Sequence, residues 1–70
     1  MDANITVQLN GQSIQASEGQ TLSSFLQKEG MSTPYSAIAR NEVIIPRHQF
    51  SQVFLQSGDR IEVIEPVGGG

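Results

Sequence analysis

The chain closes on Pro66-Val67-Gly68-Gly69-Gly70, and the one group there able to do chemistry is the α-carboxylate of Gly70. Glycine has no Cβ and loses the most backbone entropy on ordering, so three in a row resist both helix and strand. No side chain projects beyond Val67, so such an arm can thread a narrow channel and carry its tip into another protein's active site. A carboxylate is a poor acyl donor until it is activated, for example as an acyl-adenylate. The expected chemistry is activation of the chain's own end at Gly70, with Pro66, Val67, Gly68 and Gly69 as the threading segment. The same composition also suits a loose end with no role, so the tail by itself leaves both readings open.

Elsewhere, reactive groups are sparse. His48 is the only histidine and follows Pro46-Arg47. No Asp, Glu or second His stands at metal-ligand spacing from it, and no serine is paired with it by a motif, so it reads as a surface or structural histidine and no metal site is expected. The chain has no cysteine, which removes a thiol nucleophile, a thiolate metal site and a disulfide framework. Paired carboxylates, a catalytic triad and a phosphate loop are all lacking in recognisable context, which disfavours a free-standing enzyme. Arg47 can hold a partner's carboxylate through its planar fork, or it can be a solvated charge.

Seventy residues make one domain with a thin core, since a chain this short buries only about 60% of its unfolded surface. Seven acidic against four basic residues leave a net charge of −3, which argues against nucleic acid as a partner. No apolar run is long enough to span a membrane and no signal-peptide pattern is present, so a cytoplasmic protein without a membrane partner is expected.

These groups need elements to hold them. Ile5-Thr6-Val7-Gln8-Leu9 alternates with period two, as does Gln12-Ser13-Ile14-Gln15-Ala16, and Asn10-Gly11 between them is a strong hairpin signal. The chain is predicted to open with a β-hairpin whose Ile5, Val7, Leu9, Ile14 and Ala16 face inward. Thr21 suits a helix N-cap, Leu22, Phe25 and Leu26 recur at helical spacing, and Gly30 suits the position after the end, which predicts a short amphipathic helix over 22–29. After Pro34, residues 36–39 and 43–45 read as two strands around an Arg40-Asn41-Glu42 turn, without showing which face Ala37 and Ala39 take against Ile38. Pro46 closes the second of these strands. Residues 47–52 read as one helical turn pinned by Phe50, and Ser57-Gly58-Asp59 as a turn. The final strand runs over 60–65, with Ile61 and Val63 inward and Arg60 and Glu62 outward. Ile64 falls on the outward face, either partly covered or as an exposed contact residue.

A hairpin, one crossing helix and a further set of strands make an α+β domain of the β-grasp, ubiquitin-like kind: a mixed sheet of four to five strands with one packed helix. The expected organisation is a β-grasp domain over 1–65 and a flexible glycine tail over 66–70. The last strand is expected to end at an edge of the domain and release the tail outward.

Several motifs carry a more specific likeness. Asn41-Glu42-Val43-Ile44-Ile45-Pro46-Arg47, then Leu55-x-x-Gly58-Asp59-x-Ile61-Glu62-Val63, the Asn10-Gly11 hairpin, Gly19-x-Thr21-Leu22 and the glycine end together resemble the ThiS-type sulfur carriers of thiamine biosynthesis. The resemblance covers nearly the whole chain and implies a co-substrate, not a catalyst. An E1-like adenylating enzyme would use ATP to adenylate the terminal glycine carboxylate. Sulfur from a donor such as a cysteine desulfurase would then replace AMP to leave a thiocarboxylate, which thiazole synthase would consume. No cofactor would be bound by the carrier itself. The family ends in Gly-Gly, whereas here three glycines stand; Gly70 is the expected acceptor of the chain as written, and Gly69 would take the role if a residue is trimmed. Alternatives of the same fold stay open: the small subunit of molybdopterin synthase, a ubiquitin-like modifier, or a β-grasp binding module without tail chemistry.

Overall fold

The computed structural model describes residues 3–31 and 35–65. β1 (Asn4–Leu9) and β2 (Gln12–Ser17) pair antiparallel around Asn10-Gly11. Both turn residues have positive φ, 51° and 85°, as a type I′ turn requires. Val7, Leu9 and Ala16 are buried while Thr6, Gln8 and Gln15 are exposed, so the alternation seen in the sequence selects the buried face.

Helix α1 (Leu22–Lys28) starts at Thr21, whose hydroxyl accepts the Ser24 N–H at 3.1 Å. It ends one residue earlier than the sequence spacing suggests, with Glu29 as C-cap. Gly30, at φ 73°, donates to the Gln27 carbonyl, and Met31 donates to that of Leu26. This is a Schellman closure, and Met31 packs on the core beside it. Leu22, Phe25 and Leu26 are all buried.

β3 (Ala37–Arg40) and β4 (Val43–Ile45) pair antiparallel. Pro46 caps a six-residue 3₁₀ helix, Arg47–Gln52, whose Phe50 packs against the core. The following stretch is tied to the start of α1. Leu22 donates to Val53 O and Leu55 to Gln20 O, and Thr21 and Phe54 form a single β-bridge.

The last strand, β5 (Arg60–Ile64), lies parallel to β1 and antiparallel to β3. The five strands follow the order β2-β1-β5-β3-β4, the mixed β-grasp sheet expected. β5 therefore occupies the middle of the sheet. Ile38 and Ile61 complete the buried core with Val7, Leu22, Phe25 and Leu26. Burying each such side chain contributes about 1.5–3 kcal/mol. No helix among the described residues is long and apolar enough to cross a membrane.

Candidate functional site

Gly70 and the threading residues Pro66, Val67, Gly68 and Gly69 lie outside the described residues. The structure gives what precedes them: the strand that leads to them and the surface around it.

β5 is fixed at both ends by asparagines in left-handed turns. Asn41, at φ 51°, donates its N–H to Arg60 O at 2.8 Å and accepts the Arg60 N–H on its side-chain oxygen at 2.9 Å. Asn10 donates its N–H to Ile61 O at 2.9 Å, and its side-chain oxygen accepts the Val63 N–H at 2.9 Å. Asparagine suits both places because its short side chain tolerates the left-handed region and can reach nearby backbone.

A buried carboxylate anchors the entry to β5. Asp59 is 5% exposed. Its Oδ2 accepts from Arg40 Nε and from the Gln56 N–H, both at 2.9 Å, and its Oδ1 accepts from Asn41 Nδ2 at 3.1 Å. Burial alone would raise its pKa. The Gln56 N–H, the Asn41 amide and the Arg40 guanidinium together outweigh burial and hold the carboxyl below its usual range. The Asp59 and Arg40 side chains are 7% and 26% exposed, so this pair is better shielded than the exposed Arg60–Glu42 contact at 3.3 Å. The charged pair locks the β3–β4 turn to the turn before β5. The sequence places Asp59 and Asn41 in turns and in the family-like motifs, without showing that they meet. The signal available was an Asp directly after a turn glycine and directly before a strand.

The outer face of β3, β4 and β5 carries Ala37, Ala39, Ile44 and Ile64 beside the charged Arg60 and Glu62. Register places Ile64 opposite Ala37, Glu62 opposite Ala39, and Ala39 opposite Ile44. Side chains alternate across a sheet, so Ala37 and Ala39 lie on the face opposite Ile38. This resolves the ambiguity of the sequence: Ile38 is in the core, whereas Ala39 is buried outside the core cluster and Ala37 is exposed. Ile44 and Ile64 are 56% and 49% exposed. Ile64 is thus an exposed apolar residue on a face that also carries Glu62, and it is followed by Glu65, both exposed. Charged groups beside an apolar centre resemble the rim of a protein interface.

Arg47 has an internal task. Its Nη2 donates to Ser36 O at 2.8 Å, and its guanidinium carbon stands 5.4 Å from the centroid of the Phe50 ring. It joins the 3₁₀ helix to the start of β3 while remaining exposed, and the structure does not bring it into the Ile44–Ile64 pairing network. His48 is exposed on the same 3₁₀ helix. Among the described residues no three His, Cys, Asp or Glu side chains converge as a metal site.

The model of the ThiS family matches residues 6–70. The sulfur carrier protein ThiS of Escherichia coli strain K12 is 34% identical over 61 residues, covering 87% of this chain and 92% of that protein. A thiazole synthase of Magnetococcus marinus is 36% identical over 64 residues, which are 91% of this chain and 20% of the synthase. The chain therefore spans about a fifth of that relative's length. Among solved structures, the thiamine biosynthesis protein ThiS from Geobacter metallireducens matches with a TM-score of 0.82 at 20% identity, covering 94% of this chain and 100% of that one. At this identity the likeness speaks for the fold.

Proposed function

This chain belongs to the ThiS family, and we propose that it is a sulfur carrier serving thiazole formation in thiamine biosynthesis. It is a co-substrate and not a catalyst. The observation that carries the reading is one of arrangement. The sheet holds its central strand β5 at both ends, next to a face that exposes Ile44 and Ile64, and in the sequence that strand is followed closely by the glycine end.

In this reading an E1-like adenylating enzyme docks on the face around Ile44 and Ile64. The Gly70 carboxylate attacks the α-phosphate of ATP in that enzyme's site, giving an acyl-adenylate and releasing pyrophosphate. The terminal sulfur of a persulfide, charged by a donor such as a cysteine desulfurase, then displaces AMP to give an acyl disulfide. A second thiol of the partner attacks the partner's sulfur of that bond, releasing the thiocarboxylate and leaving a disulfide on the partner. The loaded carrier passes to thiazole synthase, where Pro66, Val67, Gly68 and Gly69 thread the tip to the reacting site. The carrier holds no cofactor of its own, and ATP belongs to the partner enzyme. The proposed setting is the cytoplasm. Two features of the chain support the chemistry. Glycine leaves the acyl carbon open to attack, and with no cysteine in the chain no thiol of its own can capture the activated acyl group. Net charge −3 suits approach to a basic docking surface.

The test is a pair of tail variants, joint deletion of Gly69 and Gly70, and Gly69→Leu. Both should lose thiocarboxylate formation while melting like the parent, because the buried core residues among those described all lie at or before Ile61. Undiminished thiocarboxylate formation in either variant contradicts the reading.

A further inference from the structure

Val63 poses a local problem that the backbone does not solve. In the parallel pairing of β1 with β5, Gln8 donates to Asp59 O and Asn10 donates to Ile61 O, each at 2.9 Å. The next bond in such an evenly spaced ladder would run from the Val63 N–H to a β1 carbonyl. β1 ends at Leu9 and the chain turns away through Asn10-Gly11 into β2. The side-chain oxygen of Asn10 takes the place of that carbonyl and accepts the Val63 N–H at 2.9 Å. One residue thus extends the parallel ladder beyond the end of its own strand. On the other side β3 pairs with β5 as far as Ala37 opposite Ile64. Asn10 therefore determines whether the last residues of β5 are held from both sides or from one.

We propose that Asn10 is a positioning residue for the transfer reaction, fixing Val63–Glu65 and with them the direction in which the chain leaves the sheet toward its reactive end. This rests on the sulfur-carrier reading. A carrier docked through the Ile44–Ile64 face delivers its tip only in the fraction of complexes whose root points into the partner's channel. Loosening the root lowers that fraction without touching the docking face, and small misplacements of a reacting group reduce rates strongly. The effect belongs on kcat and not on KM.

The hairpin does not itself need this contact. A type I′ turn demands positive φ, which Gly-Gly satisfies as well as Asn-Gly. Asn10→Gly therefore keeps the turn and deletes the acceptor, whereas Asn10→Asp keeps both an oxygen acceptor and tolerance of the left-handed region.

The experiment compares the full-length parent, Asn10→Gly and Asn10→Asp. Amide hydrogen exchange reads the contact, and steady-state thiocarboxylate formation by the adenylating enzyme reads its consequence. The Val63 amide should be protected in the parent and in Asn10→Asp, and exchange faster in Asn10→Gly. In Asn10→Gly kcat should fall about fivefold, the worth of one hydrogen bond, with KM for the carrier unchanged, and Asn10→Asp should recover it. Four results overturn the proposal: an unprotected Val63 amide in the parent, parental kcat in Asn10→Gly, a change confined to KM, or no recovery in Asn10→Asp. If the parent itself forms no thiocarboxylate, the sulfur-carrier reading fails first and this inference falls with it, by a different observation.

Discussion

Replacing Asp59 by asparagine changes one oxygen to an amide nitrogen, keeps the volume, and should cost this small domain a large share of its stability. All three partners of Asp59 are donors: Arg40 Nε and the Gln56 N–H on Oδ2, Asn41 Nδ2 on Oδ1. An asparagine in either orientation sets its NH₂ against at least one of them. Asn41 cannot relieve the clash by flipping, because its own oxygen is held by the Arg60 N–H. Arg40 also loses its counter-charge while only 26% exposed. Hydrogen bonds to charged groups contribute about 1.5–3 kcal/mol, and Arg40 can recover some hydration, so a cost of about 2 kcal/mol is expected. In a domain of this size that lowers Tm by about 8–16 °C. The pH dependence identifies the cause. The folded-state pKa of Asp59 lies below the 3.8 of an unperturbed carboxyl, so its contribution is fully present above 3.8 and is lost as pH falls through the folded value. The gap in Tm between parent and Asp59→Asn should be widest near about pH 7 and narrow on acidification toward about pH 3. Circular dichroism melts across that range check it. Equal melting temperatures at neutral pH, or a gap that stays constant in acid, would refute the reasoning.

Further expectations follow from single contacts. Ile44→Asp or Ile64→Asp should leave the fold intact, since both side chains are about half exposed. Either should weaken binding to the adenylating enzyme about tenfold, and calorimetric titration showing parental affinity would remove that face from the docking model. Glu42 sits at φ 72°, a region that costs a non-glycine residue about 1–2 kcal/mol. Glu42→Gly should therefore raise Tm by about 2–4 °C despite losing the exposed pair with Arg60, and a fall in Tm would show that no strain is stored there. Thr21→Ala removes the acceptor for the Ser24 N–H and should cost about 1 kcal/mol in a urea titration. An unchanged midpoint would mean that water or Gln20, which already donates to Ser24 Oγ, replaces the cap.

The fold was legible where local rules act alone. Asn10-Gly11, Thr21 and Gly30 each demand a particular backbone state, and the structure grants each of them that state. β3 was harder, because Ala37-Ile38-Ala39 is apolar on both faces: Ile38 enters the core while Ala39 is buried on the outer side, so no alternation marks the sheet. The contacts that hold β5 were invisible for a different reason. Arg40 meets Asp59 across 19 positions and Asn10 meets Val63 across 53, and each asparagine was already explained by its turn. A residue that meets one local demand gives no sign of a second, distant one. Glu42 gave no warning either, since glutamate is not a residue that turns in the left-handed region select for. Period two alone places Ile64 outward, and the structure leaves it about half exposed. Arg47 was legible as a planar fork, but its partner, the Ser36 carbonyl, depends on how the 3₁₀ helix folds back on β3.

The most direct measurement of sulfur-carrier function is the intact mass of the chain after incubation with ATP, a sulfur donor and the adenylating enzyme, with fragmentation to locate any change. Carrier function predicts replacement of one oxygen by sulfur, confined to Gly70. An unmodified chain in the presence of an enzyme shown to be active, or a modification elsewhere in the chain, would contradict it.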